Sequence, residues 1–364
     1  MIQKAVESLR AFADYAAQHA NESYLSLYLL VDPAAPENQS ETPAWRTFLR
    51  NAVAEVEAGL DPVQAKQWKS VRLSDTAPEK GWARTRKRLE KYSTGYRPES
   101  KTLVLFIGPG SEHSFELPVR LDNASYYGKP HIQELLWALD EYEQHSVLLF
   151  GEDQVRVLRV ALSRSAADRT VVSDEAWLRE LRKSGHFQEA TWRQDDITRR
   201  FVKRIAGEVD KFFLKSPDVN RIILGGNMEL ANAVLSALHP AVQEKVIAVL
   251  PIPVSLAAHE VAERIAGAAE SAEREHEAAL VSGIIAQSAA RGRGATGYTA
   301  VSHALDRGAV RLIAMPFPAD SDVVEPILLQ AVRAGAQVEF LHGEAAEQAR
   351  AAGGIVAQLY YSAN

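Results

Sequence analysis

The alternation of helical and strand patterns from residue 130 to the end of the chain most constrains the fold. Apolar residues recur at helical spacing from Ile132 to Tyr142, and two apolar runs that read as strands, SVLLFG and QVRVLRVAL, come next. Further strand-like runs, each separated from the next by a helical pattern, are RIILGG, KVIAVLPI, AVRLIAMP, QVEFLHG and GIVAQLYY. Strands that alternate with helices predict an α/β architecture with mostly parallel sheets covered by helices.

The first 128 residues have a different, α+β pattern. SYLSLYLLV alternates as a half-buried strand does, and TLVLFIGPG with HSFELPV predicts an antiparallel pair. NASYYGKP breaks the pattern, so we interpret it as a loop and place a boundary at Gly128. We therefore predict three domains: an α+β domain over 1–128, an α/β domain with a mixed sheet over 129–270, and an α/β domain over 271–364.

The composition excludes several kinds of chemistry. The 364 residues include no cysteine, which excludes a disulfide framework, thiolate zinc sites and a cysteine nucleophile. Histidines are dispersed, and the His-Glu pairs at His259 and His276 lack the second histidine of H-E-x-x-H, so we predict no metal site and no cofactor. No stretch approaches 18 uninterrupted apolar residues, so we expect no signal peptide, no membrane span and a cytoplasmic location.

Two glycine motifs are similar to nucleotide-binding and anion-binding loops. GRGATG, residues 292–297, has the letters of the dinucleotide fingerprint, but that fingerprint must follow a strand and SGIIAQSAAR reads as a helix. We interpret it as a flexible, positively charged loop between helices. GGN, residues 225–227, lies between a strand and a helix, where an ordinary βα turn is the simpler interpretation. A small-molecule or nucleotide-binding protein that uses these turns stays an alternative.

A basic helical face carries more information. On a helix predicted over Glu79–Tyr92, one face holds Arg84, Lys87, Arg88 and Lys91, and the opposite face holds Trp82, Leu89 and Tyr92. Between residues 80 and 101 there are eight Lys/Arg and two acids, a local charge of +6 in a chain of net charge -6. Clustered cations gain from counterion release on phosphate, so this face predicts contact with RNA. A solvated helical face is the alternative.

A second basic face lies on a helix predicted over Ile197–Phe213. Its cations are Arg199, Arg200, Lys203 and Lys211. Two aspartates precede the two arginines by four residues, a spacing that stabilises a helix by itself. Support of the helix is therefore an alternative to RNA contact here.

Segments spread along the chain resemble one superfamily. They are YLSLYLLVDP and TRKRLEKYSTGYRPESKTLVLFIG, then SVLLFGEDQVRVLRV, TRRFVKRIAGEVDKFF and VNRIILGGNMELANAVLSAL, and finally GATGYTAVSHALDRGAVRLIAMP. In this order they are similar to the three domains of the archaeo-eukaryotic class-one release factor and Pelota superfamily, in particular its bacterial branch. The resemblance implies a C-terminal domain like that of ribosomal proteins that bind kinked RNA.

Two departures from the family pattern limit what the resemblance implies. Release factors carry Gly-Gly-Gln before the long helix of the middle domain, whereas this chain reads RKSGHFQEATWRQ, with Gln188 near the expected place but without paired glycines. The Asn-Ile-Lys-Ser motif, with which release factors read stop codons, is also missing. The resemblance thus implies a non-enzymatic, ribosome-associated adaptor that binds the A-site region without stop-codon reading, in ribosome rescue or hibernation.

The resemblance also implies partners for such an adaptor. They are the ribosome and its rRNA, with tRNA and a translational GTPase as further candidates. One alternative is a peptidyl-tRNA hydrolase that uses an altered loop around Gln188. Another is an inherited fold whose partner is not ribosomal.

Overall fold

The computed structural model describes residues 2–60, 78–141, 143–151, 155–162, 169–173, 195–215 and 221–362. These residues form three sheets and eleven α-helices, which confirms the predicted combination of α+β and α/β architecture. By contacts the chain divides into two compact units, one of residues 1–140 and 280–364 and the other of residues 141–279. The predicted domain boundaries near residues 128 and 270 stay predictions. No helix in the described ranges is long and apolar enough to cross a bilayer.

The first sheet is entirely antiparallel, in the order β3-β2-β1-β4. Its elements are α1 (Ile2–Gln18), β1 (Tyr24–Leu30), α2 (Ala44–Leu60), α3 (Pro78–Thr94), β2 (Thr102–Ile107), β3 (Glu112–Leu117) and β4 (Ala124–Gly128). β1 is buried on both faces, so its prediction as a half-buried strand is wrong. Leu25, Leu27 and Leu29 pack with α2 and α3, while Phe12 of α1 covers the other face and contacts Tyr24.

Strand β4 corrects a second prediction. The segment NASYYGKP was interpreted as a loop, but its residues Ala124–Gly128 pair with β1 along its whole length. Tyr127 contacts Trp82 of α3 edge to face, with ring centres 5.5 Å apart. Tyrosine favours strands when its ring can pack, and this packing partner is distant in sequence.

The second sheet is mixed, as predicted, in the order β7-β6-β5-β8-β9. β6 pairs antiparallel with both β5 and β7, and β5, β8 and β9 are parallel. Helix α5 (Asp195–Leu214) covers one face of the sheet with Val202, Ile205 and Val209. The first turns of α8 (Ala258–Ala289) cover the other face with Val261 and Ile265. The elements are α4 (Gln133–Glu141, which precedes the sheet), β5 (Glu143–Phe150), β6 (Val155–Leu162), β7 (Arg169–Ser173), α5 (Asp195–Leu214), β8 (Arg221–Gly226), α6 (Met228–Ala237), α7 (Pro240–Gln243), β9 (Val246–Leu250) and α8 (Ala258–Ala289).

The third sheet has the order β10-β13-β11-β12. β11 and β12 are parallel, whereas β13 runs antiparallel to both of its neighbours, so the prediction of a mostly parallel sheet is wrong here. The last strand of the chain, β13, lies between β10 and β11 and runs in the opposite direction to both. The elements are β10 (Gly294–Thr296), α9 (Tyr298–Asp306), β11 (Val310–Pro316), α10 (Ser321–Ala334), β12 (Gln337–Leu341), α11 (Gly343–Ala351) and β13 (Val356–Leu359).

Candidate nucleic-acid interface

Helix α3 is amphipathic in the orientation that its sequence predicts. Trp82, Leu89 and Tyr92 are buried against the leucines of β1 and β2. The indole Nε1 of Trp82 donates to a carboxylate oxygen of Glu57 at 3.3 Å, and the hydroxyl of Tyr92 donates to Glu112 at 2.6 Å. With this face fixed in the core, the opposite face of α3 points to solvent.

The four predicted cations of α3 differ in their surroundings. Arg84 and Lys87 are exposed, and neither forms an ion pair with any residue that the structure describes. Arg88 is half-buried and its Nη2 donates to the backbone oxygen of Pro109 at 3.5 Å. Lys91 pairs with Glu112, and its Nζ lies 4.9 Å from the ring centre of Tyr92. Arg84 and Lys87 are therefore the members best placed to contact a phosphate.

Two acidic side chains from outside the segment offset part of its charge. Burial by itself would raise the pKa of the Glu112 carboxyl, but hydrogen bonds from Lys91 and Tyr92 outweigh it and hold the pKa below its ordinary value. Glu57 pairs with Arg86 at 3.0 Å. These two carboxylates reduce the local charge from +6 to +4. Arg84 and Lys87 keep their charge on the solvent side of α3.

The second basic face is only partly within the described residues. Lys203 is exposed on α5, opposite the buried Ile205 and Val209, as predicted. Arg199 and Arg200 lie in the first turns of the same helix, but their side chains are outside the described part of the structure. Gln188 also lies outside the described residues.

The Gly225-Gly226-Asn227 turn has the geometry of a tight connection from β8 to α6. Gly226 has φ of +90°, and a Cβ there would lie 2.2 Å from the backbone oxygen of Phe150. Asn227 donates its own backbone N–H to that oxygen at 2.8 Å, and its side chain caps α6 by accepting from Leu230 N at 3.1 Å. Two amides of this turn, those of Asn227 and Leu230, are thus already bonded, which supports the ordinary turn.

The GRGATG motif does not have the context of a dinucleotide fingerprint. The segment before it is helix α8, as predicted, and not a strand. The motif itself contains β10, so its interpretation as a flexible loop is wrong. A Cβ on Gly294 would lie 2.3 Å from the backbone oxygen of Ile284, so this glycine allows β10 to approach α8 closely.

A buried cluster that the sequence did not reveal joins His131, Glu134 and Glu325. The imidazole Nδ1 lies 3.1 Å from Glu325 and Nε2 lies 2.8 Å from Glu134. The ring stacks on Tyr126, with centres 3.6 Å apart. Glu325 of α10 also accepts backbone hydrogen bonds from Ile132 at 2.8 Å and from residue 133 at 3.0 Å, at the start of α4. The cluster therefore fastens α10 to the start of α4.

The same cluster has the right residue types for a metal ion, with ligand atoms within 4.8 Å of one another. However, the two imidazole nitrogens point in opposite directions, each at a different carboxylate, so the three groups do not converge on one position. Burial raises the pKa of Glu325 from 4.5 to about 7, against the opposing effects of His131 and the two backbone N–H groups. Glu325 can therefore take up a proton near neutral pH.

Comparison with known families gives a match for the middle of the chain. Residues 130–270 match the family model described as Bacterial archaeo-eukaryotic release factor family 10. This segment is similar to the bacterial archaeo-eukaryotic release factors, which confirms for residues 130–270 the resemblance seen in the sequence. A search of curated proteins gives no match.

Several solved structures are distantly similar. Pelota from Archaeoglobus fulgidus is 16% identical with a TM-score of 0.34, over 73% of this chain and 81% of that one. Dom34 from S. cerevisiae, described as a translation termination-like factor that interacts with Hbs1, is 15% identical with a TM-score of 0.43, over 70% and 74%. Archaeal Pelota in a ribosome-bound complex with ABCE1 is 16% identical with a TM-score of 0.40, over 74% and 76%. Because the TM-scores of these structures are all below 0.5, the relation of this chain to release factors depends on the family match of residues 130–270.

Proposed function

We propose that the protein is a ribosome-associated, release-factor-like adaptor that contacts rRNA in the A-site region without reading a stop codon. Its role would be in ribosome rescue or hibernation, in the cytoplasm, with tRNA and a translational GTPase as further partners. The observation that carries this proposal is the pair of exposed cations without ion-pair partners in the described residues, Arg84 and Lys87, in a chain whose middle segment matches a release-factor family.

The packing of α3 against the first sheet supports this proposal. Its buried side packs into the first sheet, so the backbone that carries the cations is already ordered before binding. Phosphate contacts of this kind give affinity without base specificity, which suits a factor that does not read a codon. Arg88 and Lys91 would widen the contact, although each already has a partner within the protein. On α5, Lys203 with Arg199 and Arg200 would form a second contact.

Co-sedimentation with ribosomes tests the proposal. We expect the wild-type chain to co-sediment at moderate salt, and the double variant Arg84→Gln, Lys87→Gln to lose most of that association because two phosphate contacts are removed. The matched control is Arg274→Gln, Arg350→Gln, which removes two exposed, ion-paired arginines from other helices.

The control variant should sediment with ribosomes as the wild type does. Thermal unfolding of all three proteins should agree, since exposed substitutions change stability little. Absence of the wild-type chain from the ribosome fraction, or equal association of wild type and the Arg84, Lys87 variant, would contradict the proposal.

Peptide release through Gln188 remains a separate prediction of the sequence. A release assay on peptidyl-tRNA that compares wild type with Gln188→Ala distinguishes it from the adaptor. Release by the wild type that is lost in Gln188→Ala would establish an enzyme, whereas equal background release in both would exclude this use of Gln188.

A further inference from the structure

Two large aromatic side chains are exposed at the end of the third sheet. Tyr360 and Tyr361 follow β13 directly and are 58% and 52% exposed. The hydroxyl of Tyr361 donates to the backbone oxygen of Arg307 at 3.0 Å, which holds that ring beside the turn between α9 and β11. Large apolar side chains that are exposed at consecutive positions of the chain can mark a binding surface.

Four arginines surround this end of the sheet, and all four are exposed: Arg291, Arg293, Arg307 and Arg311. None of them forms a salt bridge with a residue in the described ranges. Between residues 290 and 311 the sequence holds these four arginines and one acid, Asp306, a local charge of +3. The carboxylate of Asp306 accepts a hydrogen bond from Gln330 of α10 at 2.7 Å, so it is already engaged by another side chain.

Backbone hydrogen bonds bring the arginines and tyrosines together. Leu359 N donates to the backbone oxygen of Arg293 at 3.0 Å, and Tyr360 N donates to that of Ala309 at 2.9 Å. Arg311 comes directly after Val310, the residue that pairs with Leu359. Two chain segments, one with Arg291 and Arg293 and the other with Arg307 and Arg311, therefore lie beside the segment that holds the two tyrosines. We call these six residues the Arg–Tyr surface: Arg291, Arg293, Arg307, Arg311, Tyr360 and Tyr361.

We propose that the Arg–Tyr surface binds an unpaired nucleic-acid strand, with bases stacked on Tyr360 and Tyr361 and phosphates paired with the arginines. Aromatic rings bind bases of any identity by stacking, and arginine binds phosphate with a planar fork of donors. A duplex would keep its bases stacked inside and could use only the cations. This surface shares no residue with the cationic face of α3, so it does not depend on the proposed role at the ribosome.

Fluorescence anisotropy with labelled oligouridine and oligothymidine tests the proposal. The background is the full chain carrying Arg84→Gln and Lys87→Gln, so that the two main phosphate contacts proposed for α3 are removed. We expect Tyr360→Ala to weaken binding of the single strand by at least about fivefold, from the stacking of one base, and Tyr360→Phe to retain it because the ring is kept. Arg293→Gln with Arg307→Gln should lower the slope of log affinity against log salt by about 1.4, at about 0.7 per phosphate contact.

A duplex of the same length and the double variant Arg274→Gln, Arg350→Gln are the controls. We expect Tyr360→Ala to leave duplex binding unchanged, and the control variant to bind the single strand as the background does. Tyr360 dependence with either oligonucleotide supports the surface. Equal binding by Tyr360→Ala and the background, or no binding of either strand, overturns it. The ribosome experiment is independent, because it depends on Arg84 and Lys87.

Discussion

Two buried side chains, His131 and Glu325, connect α10 to the start of α4. Glu325 is 4% exposed, yet its carboxylate serves both the imidazole and two backbone N–H groups at the start of α4. An ionised carboxylate buried in this way is stabilised by its partners and destabilised by loss of water. Because burial is the larger effect, the pKa of Glu325 rises to about 7, and its charge changes near neutral pH.

This shift predicts how stability depends on pH. The pKa of Glu325 is raised in the folded state, so the protonated form stabilises the fold fully below about 4.5, and this contribution is lost as the pH rises to about 7. Relative to Glu325→Gln, the wild type should lose up to about 3 kcal/mol of unfolding free energy across that range, at about 1.4 kcal/mol per pKa unit. Urea unfolding of both proteins at several pH values measures the difference, and parallel pH profiles would contradict the expected shift.

At the scale of elements, the connection from β8 to α6 depends on glycine geometry. Gly226 is in the left-handed region of φ and touches the backbone of Phe150, so a side chain there is both strained and obstructed. Gly207, on the exposed side of α5, has ordinary helical geometry, and a Cβ added there would meet nothing within 4 Å. The two glycines therefore have opposite consequences when replaced by alanine.

We expect Gly226→Ala to destabilise the second unit by about 2 kcal/mol or more, from backbone strain of about 1–3 kcal/mol together with the close contact. Gly207→Ala should stabilise it by about 0.5–1 kcal/mol, because alanine favours a helix over glycine. Denaturant unfolding followed by circular dichroism compares the pair. Equal stability of the two variants would show that the turn tolerates a side chain.

Helix α3 was predictable from the sequence because its information is local. The spacing of Trp82, Leu89 and Tyr92 marks the buried side, and it places Arg84 and Lys87 on the other side without reference to any other element. The salt bridge from Lys91 to Glu112 could not be predicted in this way, since Glu112 lies on β3. Strands β4 and β10 were missed because their pairing partners, β1 and β13, are far away in the sequence.

For the whole molecule, the net charge of -6 is a poor guide to binding. Distant surface charges are screened over about 8 to 10 Å at ordinary salt, so a phosphate near α3 responds mainly to the local cations. The salt dependence of ribosome association should therefore follow Arg84 and Lys87. We expect the slope of log affinity against log salt to be smaller by about 1.4 to 1.8 in Arg84→Gln, Lys87→Gln than in the wild type.

A salt titration of ribosome binding checks this slope. The Arg274→Gln, Arg350→Gln control has the same net charge as the α3 variant, so it separates local contacts from overall charge. If both variants change the slope equally, then net charge and not the α3 face governs the association.

The sequence by itself determined most of the element types, the α+β and α/β architecture, the superfamily resemblance and the cationic side of α3. Each of these depends on residues that are close together in the chain, where periodicity and charge spacing are visible. Only the tertiary structure decided that Lys91 is paired, that β13 runs antiparallel between β10 and β11, and that His131 meets Glu325. It also decided that Arg307 lies beside Tyr361. These contacts join residues that only folding brings together, so no local pattern in the sequence encodes them.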